Sequence, residues 1–157
     1  MKQFSSSLTL FQDQIYTLSM AAKDIIHDAV KSALIKDGWS ITHDPYVIRH
    51  DDELLYADLA AERPIAAVRG DARIVVEVKS FVGYSIIQDF KEALGQYILY
   101  LDILAKTAPE YKLYLAVSDI VYTEDLNRST IRLILEQREI PLILVDVATE
   151  EIVQWIQ

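Results

Sequence analysis

Apolar positions along this chain change rhythm several times, and each change marks an element. From Ala22 to Asp37 they recur at three and four residues (Ile26, Val30, Ala33, Leu34), which predicts one helical stripe. Gly38 stands where a helix C-cap belongs. Between Trp39 and Arg49 the pattern shortens into two extended pieces around Asp44-Pro45, where a proline disfavours helix. Leu54 to Leu59 reads as a strand. Pro64 to Val68 reads as another, ending in an Arg69-Gly70-Asp71 turn, with a hairpin leading into Ile74–Ser80. After Gly83 the helical period returns: Ile87, Phe90, Leu94, Tyr97, Leu101 and Leu104 predict a long helix from Ser85 to Ala105. Lys112–Val117 reads as a strand, Glu124–Glu136 as a helix and Pro141–Asp146 as a buried strand. Glu151–Ile156 closes the chain as an edge strand. The order predicts an α/β fold, a mixed sheet with helices on its faces.

Residues 1 to 19 read as an N-terminal extension, with a short amphipathic piece through Leu8, Leu10, Phe11 and Ile15. Met20 offers a second candidate start, so residues 20 to 157 form the expected single domain. At 157 residues the chain is long enough to bury a core. No apolar run approaches the roughly 20 residues of a spanning helix, and no export signal is legible, so no membrane partner is expected. The absence of cysteine removes disulfides and thiolate metal sites, and a cytoplasmic setting fits.

The formal net charge of −9 changes what partners are plausible. Lys and Arg are scattered singly, and between His50 and Lys79 seven acids face four Lys and Arg. A phosphate-gripping protein usually carries a basic stripe, so strong DNA binding by this chain alone is not expected. Acid-rich chains still cut nucleic acid where divalent metals neutralise the site or another subunit supplies basic surface.

The candidate chemistry lies in Arg73-Ile-Val-Val-Glu-Val-Lys-Ser-Phe81. Side chains alternate across a strand, so Glu77 and Lys79 share one face. Two charges in an apolar strand cost several kcal/mol in order of magnitude unless paired or bound to something. Asp58, in an apolar strand upstream, is the best third member if the two strands pair. Two carboxylates with a backbone carbonyl and water suit Mg²⁺ or Mn²⁺. Lys79 would then orient a water or stabilise developing negative charge, an arrangement for phosphodiester hydrolysis. The plainer reading is a partly buried Glu–Lys pair closing a polar sheet edge.

Asp58 followed by Glu77-Val-Lys79 resembles the PD-(D/E)XK nuclease signature, with Ala57 where many members have proline. Met20-Ala-Ala-Lys-Asp-Ile-Ile-His-Asp-Ala-Val30 resembles the opening of the XisH family, the excision-controlling factors of cyanobacterial DNA elements. Leu34–Trp39, Ile41–Pro45, Val76–Phe81, Ala93–Gln96, Leu113–Val117 and Ile152–Ile156 continue that resemblance. It implies a restriction-endonuclease-like fold, a XisI-type partner and a role in programmed DNA excision. Two further positions come from related nucleases. Asp28 precedes Gly38 by ten residues, as an acid of resolvase-like relatives does, which implies a metal ligand; an exposed helical acid is the alternative. Gln96 and Tyr100 lie i, i+4 on one helix face and resemble the Gln-x-x-x-Tyr motif of RecB-related nucleases, which implies a place at the active site. A polar fringe on a core helix is the alternative.

His27 reads as a solvated or capping residue, and His43 and His50 lack a companion at ligand spacing. Trp39, Tyr46 and Trp155 read as core or interface, and Arg69 and Arg73 as flanks of the hairpin turn. Two functions therefore compete. One is a Mg- or Mn-dependent endonuclease with Asp58 and Glu77 as ligands, Lys79 as electrostatic catalyst, and DNA as substrate. The other is a non-catalytic protein-interaction scaffold that works with a XisI-type partner; on either reading a homo-oligomer is compatible.

Overall fold

The chain opens on a helix longer than its apolar pattern predicts. In the computed structural model, which describes residues 3–64 and 71–157, helix α1 runs unbroken from Gln3 to Lys36. Residues 3–19, the described part of the expected N-terminal extension, form the first half of that helix. The helix stops where glycine lets it. Gly38 adopts φ +90°, its N–H donates to Ile35 O and the Trp39 N–H donates to Leu34 O, a terminal pattern that a side chain at this φ would strain.

Eight strands follow: β1 (Ser40–His43), β2 (Tyr46–His50), β3 (Glu53–Ala57), β4 (Leu59–Pro64), β5 (Asp71–Val78), β6 (Tyr111–Ser118), β7 (Leu142–Asp146) and β8 (Glu151–Ile156). Six of them form a mixed sheet in the order β1-β4-β5-β6-β7-β8, and β2 and β3 pair separately as a two-stranded ribbon. The expected hairpin exists, but its first arm is β4. Leu59 faces Val76 and Pro64 faces Asp71 in antiparallel register. The strand expected at Pro64–Val68 and the Arg69-Gly70 turn lie outside the described residues beyond Pro64. Strands β5, β6 and β7 run parallel, joined by helices, and β8 returns antiparallel as the expected edge.

The apolar run Leu54–Leu59 is not one strand. It breaks at Asp58, where the chain leaves the small ribbon as β3 and enters the large sheet as β4. The helix expected over Glu124–Glu136 starts later, at Ser129, and an unexpected short helix precedes it. Helix α3 (Asp119–Glu124) starts under a Ser118 side chain that accepts from the Val121 N–H, and α4 spans Ser129–Gln137. Between them Leu126 is buried, and its N–H closes back onto Val121 O, so the core draws the chain inward and ends α3.

Helix α2 (Ile86–Thr107) begins at Ser85, whose side chain accepts from Gln88 N–H. Its buried stripe is Phe90, Ala93, Tyr97, Tyr100 and Leu104, whereas Ile87 and Leu101 are exposed. The stripe is turned one residue from the expected one, so Tyr100 rather than Leu101 faces inward. Just before it, Gly83 packs so close to Asp89 that a Cβ there would lie 2.3 Å from the carboxylate, whose other oxygen accepts the Gly83 N–H.

The alternating positions of the sheet feed two cores. Val75, Leu113, Leu115, Val117 and Leu144 pack with α2 and α4. Ile74, Val76, Tyr114, Ala116, Ile143 and Val145 pack with the second half of α1. Trp39 is buried in this second core, 5.8 Å from the Trp155 ring, which bears out a packing role for both. Arg73 reaches Glu62 and Glu110 at 4.0 Å. Among the described residues no helix is long and apolar enough to cross a membrane.

Ile143 is fully buried and Leu101 is not, which separates two substitutions of equal chemistry. Ile143→Ala is expected to cost about 2–5 kcal/mol in urea unfolding. Leu101→Ala is expected to cost under about 1 kcal/mol.

Candidate functional site

Glu77 is the only charged side chain buried among the described residues, at 5 % exposure. The strand's period explains its position. Val75 faces α2 and Val76 faces α1, so Glu77 falls on the α2 side and Lys79 returns to that side two residues later. The Lys79 Nζ lies 3.3 Å from Glu77 Oε1, and it also donates to Gln96 Oε1 on α2. Glu77 Oε2 is buried with no hydrogen-bond partner.

Asp58 arrives from the other side. It sits in the bend between β3 and β4, one step beyond the Leu59–Val76 pair, which brings it beside the end of β5. Its Oδ2 accepts the Val78 N–H at 2.7 Å, taking the place of a ladder partner after β4 has turned away. The Lys79 N–H, on the opposite edge, continues the parallel pairing by donating to Ala116 O.

Tyr100 completes the frame. Its hydroxyl donates to Tyr56 O at 3.0 Å, which ties α2 to β3 two residues before Asp58. Its pKa is pushed up to about 12, first by burial and then by the negative charges of Glu77 and Asp58, so it stays a neutral donor.

The Asp58 charge acts on Glu77. Burial, and after it the neighbouring Asp58 charge, pushes the Glu77 pKa up to about 7, with the Lys79 ammonium opposing. Burial also raises Asp58, while the Val78 N–H, His27 and Lys79 pull it back. Among the described residues no group of three or more His, Asp or Glu side chains is arranged to hold a metal ion. Two carboxylates are what the fold brings together, and any further ligands would be backbone or water oxygens. That donor set, with one acceptor-only oxygen left without a hydrogen bond, is chemically suited to a hard divalent cation.

The structure therefore gathers Asp58, Glu77, Lys79, Gln96 and Tyr100 in one place. Asp28 is not gathered with them. It is exposed on α1, and its charge acts on Lys31. The neighbour of Asp58 on that helix is His27, with Nδ1 3.8 Å from Asp58 Oδ1 and Nε2 3.0 Å from Asp44 Oδ1. Lys31, one turn on, holds Asp44 Oδ2 at 2.7 Å. Burial works to raise the Asp44 pKa, but the hydrogen bonds from Lys31 and His27 outweigh it and lower it. The expectation of a merely solvated or capping His27 is thus corrected. The signal was the i, i+4 pair His27 and Lys31 on the rim of the α1 apolar stripe, where one carboxylate can meet both.

The XisH protein family profile matches residues 20–153. The chain belongs to the XisH family. Two crystal structures are similar to it, each superposing with a TM-score of 0.77 over 85 % of this chain and 99 % of the other. One is an XisH family protein from Nostoc punctiforme PCC 73102, at 39 % identity. The other is an fdxN element excision controlling factor protein from Anabaena variabilis, at 40 % identity. No curated protein matches. The XisH match contains every residue of the gathered site, and begins within α1, after its first 17 residues.

The raised pKa of Glu77 has a defined effect on stability. Between about pH 4.5 and 7 an unfolded Glu has lost its proton and the folded one keeps it, so stability falls as pH rises. Glu77→Gln removes this contribution. In urea unfolding across a pH series, the variant is expected to gain on the parent through that window by about 3 kcal/mol, and the gain to level off above about pH 7.

Proposed function

We propose that this XisH-family chain carries a metal-dependent phosphodiesterase site of the PD-(D/E)XK type on a restriction-endonuclease-like fold, serving excision of a DNA element in the cytoplasm. The observation that carries the reading is the buried Glu77 carboxylate, with one oxygen on Lys79 and the other without a partner, beside Asp58. A structural ion pair commonly satisfies both of its oxygens; here Oε2 has no hydrogen-bond partner among the described residues, although the Asp58 backbone N–H acts on the carboxylate. The name of the Anabaena variabilis relative, an excision controlling factor, supports DNA as the target.

Asp58 and Glu77 would hold Mg²⁺ or Mn²⁺, which supplies Lewis-acid polarisation of a phosphate and a bound water of lowered pKa. Lys79 contributes a fixed positive charge on the same face, and Gln96 holds its ammonium in place. Tyr100, kept neutral, fixes the backbone ahead of Asp58. His27 stands behind Asp58, its Nδ1 3.8 Å from the carboxylate, and Asp44 in turn holds the other nitrogen of the ring.

A second reading is favoured by charge. With a net charge of −9 and no basic stripe, the chain lacks its own phosphate grip. On that reading the fold is a scaffold for a XisI-type partner, and the Lys79–Glu77–Gln96 contacts serve folding alone.

One experiment decides between them. Mn²⁺ titration and DNA cleavage are measured for the parent and Asp58→Ala, with and without the partner protein. The enzyme reading expects Mn²⁺ binding that is lost in the variant and cleavage slowed by a factor of about 10³ or more, the several kcal/mol a catalytic metal supplies. Intact DNA under every condition would overturn it. The scaffold reading expects partner binding unchanged by Glu77→Gln and Lys79→Ala.

A further inference from the structure

The first half of α1 extends past the sheet with an apolar seam on it. Leu8, Phe11, Ile15, Leu18, Ala22 and Ile25 follow one another at spacings of three, four, three, four and three. That is the 3.5-residue period of a coiled coil, whereas the helix's second half packs on the sheet through Ile26, Val30, Ala33 and Leu34. Leu8, Phe11, Leu18 and Ile25 are 64, 62, 70 and 59 % exposed, with Ile15 and Ala22 half-buried between them, so the described residues leave most of the stripe open.

Charge and side-chain volume say what covers it. Within residues 1–22 the charged side chains are Lys2 and Asp13, which cancel, so the whole net charge of −9 resides in residues 23–157. Gln12, Gln14, Ser19 and Ala21 flank the seam without charge, and Asp13 lies on the opposite face. A second copy therefore meets this helix without like-charge repulsion, on a molecule whose remaining surface repels its own kind. Lys2 and Lys23 are the basic residues of the first 25, too few to favour a membrane surface as the occupant.

The volumes select an orientation. Two seams laid antiparallel about the midpoint between Ile15 and Leu18 pair Leu8 with Ile25, Phe11 with Ala22 and Ile15 with Leu18. Each large phenyl then meets a methyl. A parallel arrangement sets Phe11 against Phe11 and Ala22 against Ala22, crowding one layer and emptying another. Antiparallel packing also places the acidic bodies at opposite ends of a seam about 26 Å long. That exceeds the Debye length of about 8 Å at physiological salt.

We infer that residues 8–25 pair with those of a second copy of this chain in an antiparallel two-helix coil. The seam lies largely ahead of the XisH match, and its Ala22 and Ile25 end shares a surface pocket with Lys79 and Val82.

Sedimentation of the full chain is expected to give a dimer. The double variant Phe11→Asp/Leu18→Asp is expected to give a monomer with an unchanged melting midpoint, because neither side chain belongs to the cores of the body. The chain has no cysteine, which allows the orientation to be read directly. Co-expressed Leu8→Cys and Ile25→Cys chains should form an oxidative cross-link between the two variants, and Leu8→Cys alone should not cross-link. A monomeric parent would overturn the proposal and assign the seam to another partner. A dimer that survives the double variant, or a Leu8→Cys chain that cross-links to itself, would also overturn it.

Discussion

Burying one carboxylate inside a sheet constrains most of what surrounds it. Glu77 sits between two valines on an interior strand, where an uncompensated charge is among the costliest features a core can hold. Lys79 answers one oxygen, and the strand's own two-residue period puts it there. Gln96 then holds the ammonium, which requires α2 to cross above that point. Gly83 donates its N–H to Asp89 at the start of that helix, and Phe81 takes the left-handed conformation on the way (φ 52°). Phe81 is also buried, so packing holds a bulky residue in a backbone region it rarely visits.

What could be read in advance follows from how local each cause is. The shared face of Glu77 and Lys79 is fixed by strand geometry alone, and the Gly38 stop by a backbone angle. The boundaries of β6, β7 and β8 follow from apolar runs. Asp58 was named as a site residue, but the break it marks was hidden. Apolar residues continue on both sides of it, and only the choice between two sheets decides where the strand divides. Helix α3 was missed because Ile120, Val121 and Tyr122 look strand-like, while the Ser118 cap and buried Leu126 act through the fold. On α2, Tyr100 and Leu101 are adjacent, and a rotation by one residue exchanges them. His27 was passed over because its partners, Asp44 and Asp58, lie 17 and 31 positions away in sequence.

Helix α1 does two things along one axis. Its second half closes the lower core and presents His27 and Lys31 to Asp44, so it belongs to the frame of the carboxylate site. Its first half contributes no side chain to either core, and its apolar spacing changes from the coiled-coil period to the packing period near Ile25. A single continuous backbone thus joins a surface that faces outward to the wall behind Asp58.

Asp58 belongs to neither sheet. Its preceding residue pairs with Tyr46 in the small ribbon and its following residue with Val76 in the large one. Glu77, by contrast, is fixed wholly within the large sheet. The gap between the two carboxylates is therefore a readout of how the ribbon is tilted against the sheet, with Tyr100 as the strut that sets the angle.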